Sequence, residues 1–257
     1  ATSYATHNTT MIPFYIYYSK FGFQRVGDLA WAAGDMQAKG FLVGGTAGRT
    51  TLNGEGLQHQ DGDSQLVANT IPNCVSYDPT YAYELAVIVR SGLERMYEKN
   101  ENIFYYITTM NELYAHPEMP ESSEEGIIKG MYALKSVGES KLRVQLMGSG
   151  TILREVEAAA QMLADDWNVQ SDVWSVTSFN ELAREAQAID RVNRFSADAP
   201  TVAYVTQCLE NAKGPVIVAT DYMRNHAEQI RKYVPNRYEV LGTDGFGRSD
   251  TRENLRH

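Results

Sequence analysis

The stretch LRVQLMGSGTILREVEAAAQMLA, Leu142 to Ala164, decides the fold class. Leu142 to Met147 reads as a strand, the turn Gly148-Ser149-Gly150 ends it, and Thr151 to Ala164 reads as a helix. The alternation continues with a strand over Val173 to Val176 and a helix opened by the capping-box spacing of Ser178 and Glu181. A strand over Val216 to Ala219, a helix over Tyr222 to Tyr233 and a strand over Tyr238 to Leu241 complete it. Strands alternating with helices of this length make βαβ units and a mostly parallel sheet, and right-handed crossovers put helices on both faces. The expectation is an α/β chain with mostly parallel, doubly wound sheets.

Upstream the same signals are more broken. Pro13 to Tyr18 (PFYIYY) is aromatic and β-prone, and Phe23, Val26, Ala30, Ala33 and Met36 recur at helical spacing until Gly40. Phe41 to Val43 is a short buried-strand run. Gly44 to Asp63 is rich in Gly, Thr, Asn and Asp without an apolar period, and long loops in compact domains tend to carry function. Ile71 to Tyr77 predicts a strand, Asp78-Pro79 an N-cap and first helical position, Tyr81 to Lys99 an amphipathic helix and Asn102 to Thr109 a further strand. The Pro-, Ser- and Glu-rich segment His116 to Gly126 reads as a linker, dividing the chain into residues 1–120 and 121–257.

The 257 residues are 43% hydrophobic and 21% charged, enough for a substantial core. The longest apolar runs, Leu85 to Val89 and Pro215 to Ala219, fall far short of the roughly 18 residues that span a bilayer. A net charge of −9 without a Lys/Arg cluster argues against nucleic-acid binding, which needs a positive surface facing phosphate. Cys74 and Cys208 form neither a metal spacing nor a disulfide framework, so they read as small buried side chains and a cytoplasmic location is the simplest expectation. Ala1 to Thr10 has no initiating Met and no secretion signal, and Asp250 and Glu253 open a helix that stops at His257. Both ends read as cuts in a longer parent, the plainer reading of the C-terminus being a short docked helix.

Reactive side chains concentrate in Asn53 to Asp63 (NGEGLQHQDGD), after a strand, where ligands gather in α/β sheets. Glu55 and His59 form a candidate acid/base pair, the carboxylate favouring the protonated imidazole near neutrality. A solvated loop with an idle His is the plainer reading of the same residues. His59, Asp61 and Asp63 lack the calcium-loop pattern and HExxH is absent, so no metal site is expected. The Gly148 to Gly150 turn either cradles an anion or lets a helix pack closely on its strand; Leu153 occupies the last glycine position of GxGxxG. The aromatic cluster Phe14, Tyr15, Tyr17, Tyr18, Phe21 and Phe23 serves core packing, a subunit interface or stacking on a planar ligand.

The run MIPFYIYYSKFGFQRVGDLAWAAGDMQAKGFLVGGTAGRTTLNGEGLQHQDG, Met11 to Gly62, resembles the decarboxylating component of bacterial pyruvate dehydrogenase complexes. That is the homodimeric type within the transketolase-like thiamin diphosphate enzymes. IPNCVSYDPTYAYELAVIV, ITTMNELY, VQLMGSGTILREV and the tail VLGTDGFGRSDTRENLRH extend the likeness through nearly the whole chain. The resemblance implies a partial pyrimidine-binding domain over 1–120 and most of a C-terminal domain over 121–257. It implies thiamin diphosphate with Mg²⁺, oxidative decarboxylation of pyruvate, and acetyl transfer to the lipoyl group of a dihydrolipoyl acetyltransferase partner. Phe21 falls where the family packs a ring on the aminopyrimidine, with Tyr18 beside the same pocket. His59 falls on the active-site histidine near the reacting substrate, and Glu55 on a supporting acidic neighbour. The family's glutamate on the pyrimidine would lie upstream of Ala1, since no carboxylate precedes Asp28. Its GDG motif and Asn segment for diphosphate and Mg²⁺ belong to a separate N-terminal domain, and Asp61-Gly62-Asp63 is not that motif. The chain would then supply less than half of a site and be inactive alone. The competing expectations are a non-catalytic dimerisation and scaffold module, or a transketolase-like enzyme for another substrate.

Overall fold

The computed structural model describes residues 6–197 and 199–256. Ala1 to Ala5 and His257, on which the reading of the two ends partly rests, lie outside them. The first sheet holds β1 (Phe14–Tyr18), β2 (Phe41–Gly45), β3 (Cys74–Tyr77) and β4 (Phe104–Thr108) in the order β1-β2-β4-β3, all parallel. The second holds β5 (Tyr132–Val137), β6 (Arg143–Gly148), β7 (Gln170–Ser175), β8 (Val216–Ala219) and β9 (Tyr238–Leu241) in the order β5-β7-β6-β8-β9. It is parallel except for β5, which runs antiparallel to β7 along one edge.

Helices cover both faces of each sheet, as the alternation predicts. α1 (Ser19–Asp35) and α2 (Ser64–Thr70) bury Phe23, Ala30, Ala68 and Ile71 with Phe104 and Tyr106. α3 (Ala82–Leu93) brings Val87 and Ile88 against Phe41, Tyr77, Tyr105 and Ile107 on the opposite face. The short α4 (Glu124–Lys129), which follows the Pro-rich segment, adds Ile127 to that core. In the second sheet α5 (Ile152–Trp167) packs Leu153, Val156 and Ala160 on Val144, Leu146 and Val173. α6 (Phe179–Phe195) and α7 (Tyr204–Leu209) pack Phe179, Leu182, Val205 and Leu209 on Met147, Val216 and Val218. Each such fully buried side chain contributes roughly 1.5–3 kcal/mol. α8 (Asn225–Glu228) and α9 (Arg252–Arg256) complete the described helices.

Several local readings need correction. Asp78 is not the N-cap expected of it: α3 begins at Ala82, and the Asp78 carboxylate turns instead into the junction between the sheets. The end of the predicted helix over Tyr81 to Lys99 widens into a π turn at Glu94–Glu98, with Lys99 N–H bonded to Glu94 O at 2.9 Å. The helix expected over Tyr222 to Tyr233 is broken into α8 and a 3-10 turn at Arg231–Tyr233. The Ser178 cap forms by half: its Oγ accepts from Glu181 N–H, while the Glu181 carboxylate accepts from Ser76 N–H and Arg184.

Candidate functional site

The loop between β2 and α2 carries the candidate pair. Leu57–His59 is one 3-10 turn, so Glu55 and His59 meet although neither lies on an α-helix. His59 Nδ1 is 2.7 Å from Glu55 Oε2. The imidazole sits edge-on to two rings delivered by the β1–α1 corner, Phe21 at 5.0 Å and Tyr18 at 5.9 Å between centroids. Arg25 lies over the Phe21 ring at 4.7 Å, and Lys20 Nζ donates to Asp63 Oδ1 at 2.8 Å. All four residues singled out by sequence are thus brought together, and the His59 and Glu55 side chains keep 33% and 24% of their surface in solvent.

The rest of the aromatic cluster divides by role. Tyr17 stacks on Tyr106 at 6.2 Å and Phe23 meets Tyr106 at 4.9 Å, both as core. Phe14 stacks on Phe41 at 4.6 Å, yet β1 is an edge strand that leaves Tyr15 and Ile16 exposed. A groove of about 1010 Å³ runs along that edge, lined by residues including Tyr15, Leu29, Met36, Lys39 and Phe104, away from the Glu55–His59 pair.

Buried carboxyl groups hold the surroundings. Asp61 is fully buried and its carboxylate is taken up by the chain itself: Oδ1 accepts from the N–H groups of Asp63 and Ser64, and Oδ2 from Ser64 Oγ, so it caps α2. Burial pushes its carboxyl up, against the pull of these bonds. Asp78 accepts from Thr108 Oγ1 (2.6 Å), Ser149 Oγ (2.9 Å) and Tyr222 Oη (3.1 Å), and burial pushes it up to about 6. This answers the question of the Gly148 to Gly150 turn. A Cβ on Gly150 would lie 2.6 Å from Asp78 Oδ2, so the chain's own carboxylate fills that place; a Cβ on Gly148 would lie 2.9 Å from Leu153 Cα, so the turn serves close packing.

Sequence reading missed two features. One is His226, 2% exposed, edge-on to Phe179 at 5.1 Å and Tyr222 at 5.2 Å, with no hydrogen-bond partner on either ring nitrogen. Burial pushes this imidazole down to about 3. The other is the reach of the C-terminal tail across the site loop, where Asp250 O accepts from Gly54 N–H at 3.0 Å. Neither is signalled locally: His226 is enclosed only when Phe179 joins the nearby Tyr222, and Gly54 meets Asp250 from the other end of the chain. Cys74 is buried as expected, whereas Cys208 is only partly so.

The chain covers 95% of its own length in superpositions on the transketolases of Campylobacter jejuni subsp. jejuni NCTC 11168 (TM-score 0.71, 18% identity, 33% of that chain) and Leishmania mexicana (TM-score 0.69, 20% identity, 31% of that chain). At such identity the likeness establishes the fold alone, and the class of fold is transketolase-like α/β. Sequence narrows it. Residues 1–117 match the pyruvate dehydrogenase E1 component middle domain and residues 130–257 the transketolase-like C-terminal domain. The whole chain is 63% identical to the pyruvate dehydrogenase E1 component of Pseudomonas aeruginosa and 64% identical to that of Escherichia coli K12. It belongs to the pyruvate dehydrogenase E1 component family, and it spans 29% of the length of those relatives. Among the described residues no helix is long and apolar enough to cross a membrane.

Proposed function

We propose that this chain is the part of a pyruvate dehydrogenase E1 subunit that presents Glu55 and His59 to the substrate. The whole protein, on this reading, is a cytoplasmic homodimer that decarboxylates pyruvate oxidatively with thiamin diphosphate and passes the acetyl group to the lipoyl group of a dihydrolipoyl acetyltransferase. Residues 1–120 are part of its pyrimidine-binding domain and residues 121–257 most of its C-terminal domain. The observation that carries this is the 2.7 Å Glu55–His59 contact set against Tyr18 and Phe21.

The residues present fit the cofactor's ring but not its diphosphate. Phe21 and Tyr18 keep part of their ring surface free for a planar heterocycle, and such contacts add roughly 0.5–1.5 kcal/mol beyond burial. No three His, Cys, Asp or Glu side chains come together as a metal site among the described residues. Mg²⁺ and diphosphate would be held by residues outside this chain. When bound, the cofactor supplies the electron sink for decarboxylation. Glu55 Oε2, as an acceptor, fixes the Nδ1–H of His59, leaving Nε2 to give or take a proton as charge develops on the substrate.

The test is His59→Ala in the full-length enzyme. Turnover of pyruvate should fall about 100-fold or more while the affinity for thiamin diphosphate and Mg²⁺ stays within about threefold. Parallel loss of rate and cofactor would overturn this role. Calorimetric titration of the isolated chain should show no cofactor binding, and a panel of 2-oxo acids on the full-length enzyme should favour pyruvate.

A further inference from the structure

The loop that carries Glu55 and His59 is anchored largely by residues from the far end of the chain. One oxygen of Asp221, in the turn after β8, accepts from Arg49 N–H (2.7 Å), Thr50 N–H (3.0 Å) and Thr50 Oγ1 (3.0 Å). Gly48 has φ +78°, and a Cβ there would come within 2.5 Å of that oxygen, so the backbone is drawn tight against it. The Arg49 guanidinium passes against Gly62 and donates to Thr243 O (2.7 Å) and Gly245 O (3.0 Å). Arg252, at the start of α9, donates through Nε to Thr51 O and through Nη2 to Asn111 O, both at 2.7 Å. Gln60 Nε2 donates to Arg248 O, and Met223 N–H to Gly62 O at 3.0 Å.

We propose that Asp221 and Arg252 are positioning residues for the Glu55–His59 pair, so that the C-terminal half sets the pose of the reactive imidazole. This rests on the catalytic reading of His59 above. Apart from the 3-10 turn at Leu57–His59, the loop has no regular structure to hold it. Its shape is therefore fixed by these long-range bonds. Reacting groups must sit within a few tenths of an ångström of their working geometry, and a misplacement of about 1 Å can lower a rate roughly 100-fold. Arg252 suits the task because its planar fork ties two backbone carbonyls, one on the site loop and one in the segment after β4.

In the full-length enzyme, Arg252→Ala should lower kcat about tenfold with KM within about threefold, and should speed amide exchange across residues 49–60. Its effect should shrink below about twofold when His59 is already alanine, because a residue that acts through another has nothing left to position. Asp221→Asn, which keeps the shape but weakens the shared acceptor, should show the same pattern in smaller measure. Unchanged exchange, faster exchange with unchanged kcat, or a tenfold loss that persists in the His59→Ala background would each overturn the proposal. If His59→Ala alone leaves kcat intact, the catalytic reading falls first and this role falls with it.

Discussion

Among the described residues three imidazoles rest against pairs of aromatic rings, His59, His116 and His226, and of these His59 and His226 differ in almost everything else. His59 has Phe21 and Tyr18 beside it, a carboxylate on Nδ1 and a third of its side chain in water. His226 has Phe179 and Tyr222 beside it, 2% exposure and no partner for either nitrogen. Aromatic enclosure alone makes a neutral filler, because the charged form has no solvent and no counter-charge to stabilise it. His59 instead has a carboxylate on one nitrogen and water within reach, the surroundings that the proposed function uses.

The comparison can be broken most directly by exchanging the two outcomes. His59→Ala should lower turnover about 100-fold or more and leave the thermal midpoint nearly unchanged, as steady-state kinetics and calorimetry would show. His226 should do the reverse and act on stability. Its ionisation in the folded chain is displaced from 6.5 to about 3, so above pH 6.5 neither state binds the proton and stability is full. As pH falls below 6.5 the unfolded chain takes a proton that the folded chain refuses, and stability drops by about 1.4 kcal/mol per pH unit, roughly 2 kcal/mol by pH 5. Asp78 works in the opposite sense: its raised carboxyl favours the fold below 3.8, and that contribution is lost as pH rises through about 6. The difference between the protein and His226→Leu therefore isolates the histidine, and it should lose its slope between pH 5 and 6.5 if another group is responsible. Activity of His226→Leu should match the parent.

Glu55→Gln sharpens the contrast by removing the charge while keeping the bond to Nδ1. The difference between a charge-assisted and a neutral hydrogen bond, about 1–1.5 kcal/mol, corresponds to roughly a tenfold loss of turnover. The smallest effect belongs to the rings. Phe21→Leu should weaken cofactor binding by about 0.5–1.5 kcal/mol in a titration, with stability unchanged because the ring is only partly buried.

Legibility in the sequence follows how local each cause is. β6, α5, β7 and α6 are readable because apolar period, glycine turn and the Ser178 cap all act within a few residues. β5 is not: YALKSV mixes polar and apolar residues on an edge strand, and its place is set by pairing with β7. α2 is seven residues long, too short for a period, and is held by the Asp61 cap and by Asn180, whose Nδ2 donates to Gln65 O at 2.7 Å. At the site, the four-residue spacing of Glu55 and His59 points to a pair, and the aromatic motif supplies Tyr18 and Phe21. Asp221 and Arg252 stay hidden, since nothing near them in sequence says which loop they hold.

Those long reaches also impose an order of events on the ribosome. Arg49 is separated from Asp221 by 172 residues, and Thr51 from Arg252 by 201. At about 5–20 residues per second, roughly 10–40 seconds of synthesis pass between the emergence of the loop and that of its last anchor. All nine strands are made by the end of that interval, so the loop with Glu55 and His59 gains its last anchor only after both sheets have their strands.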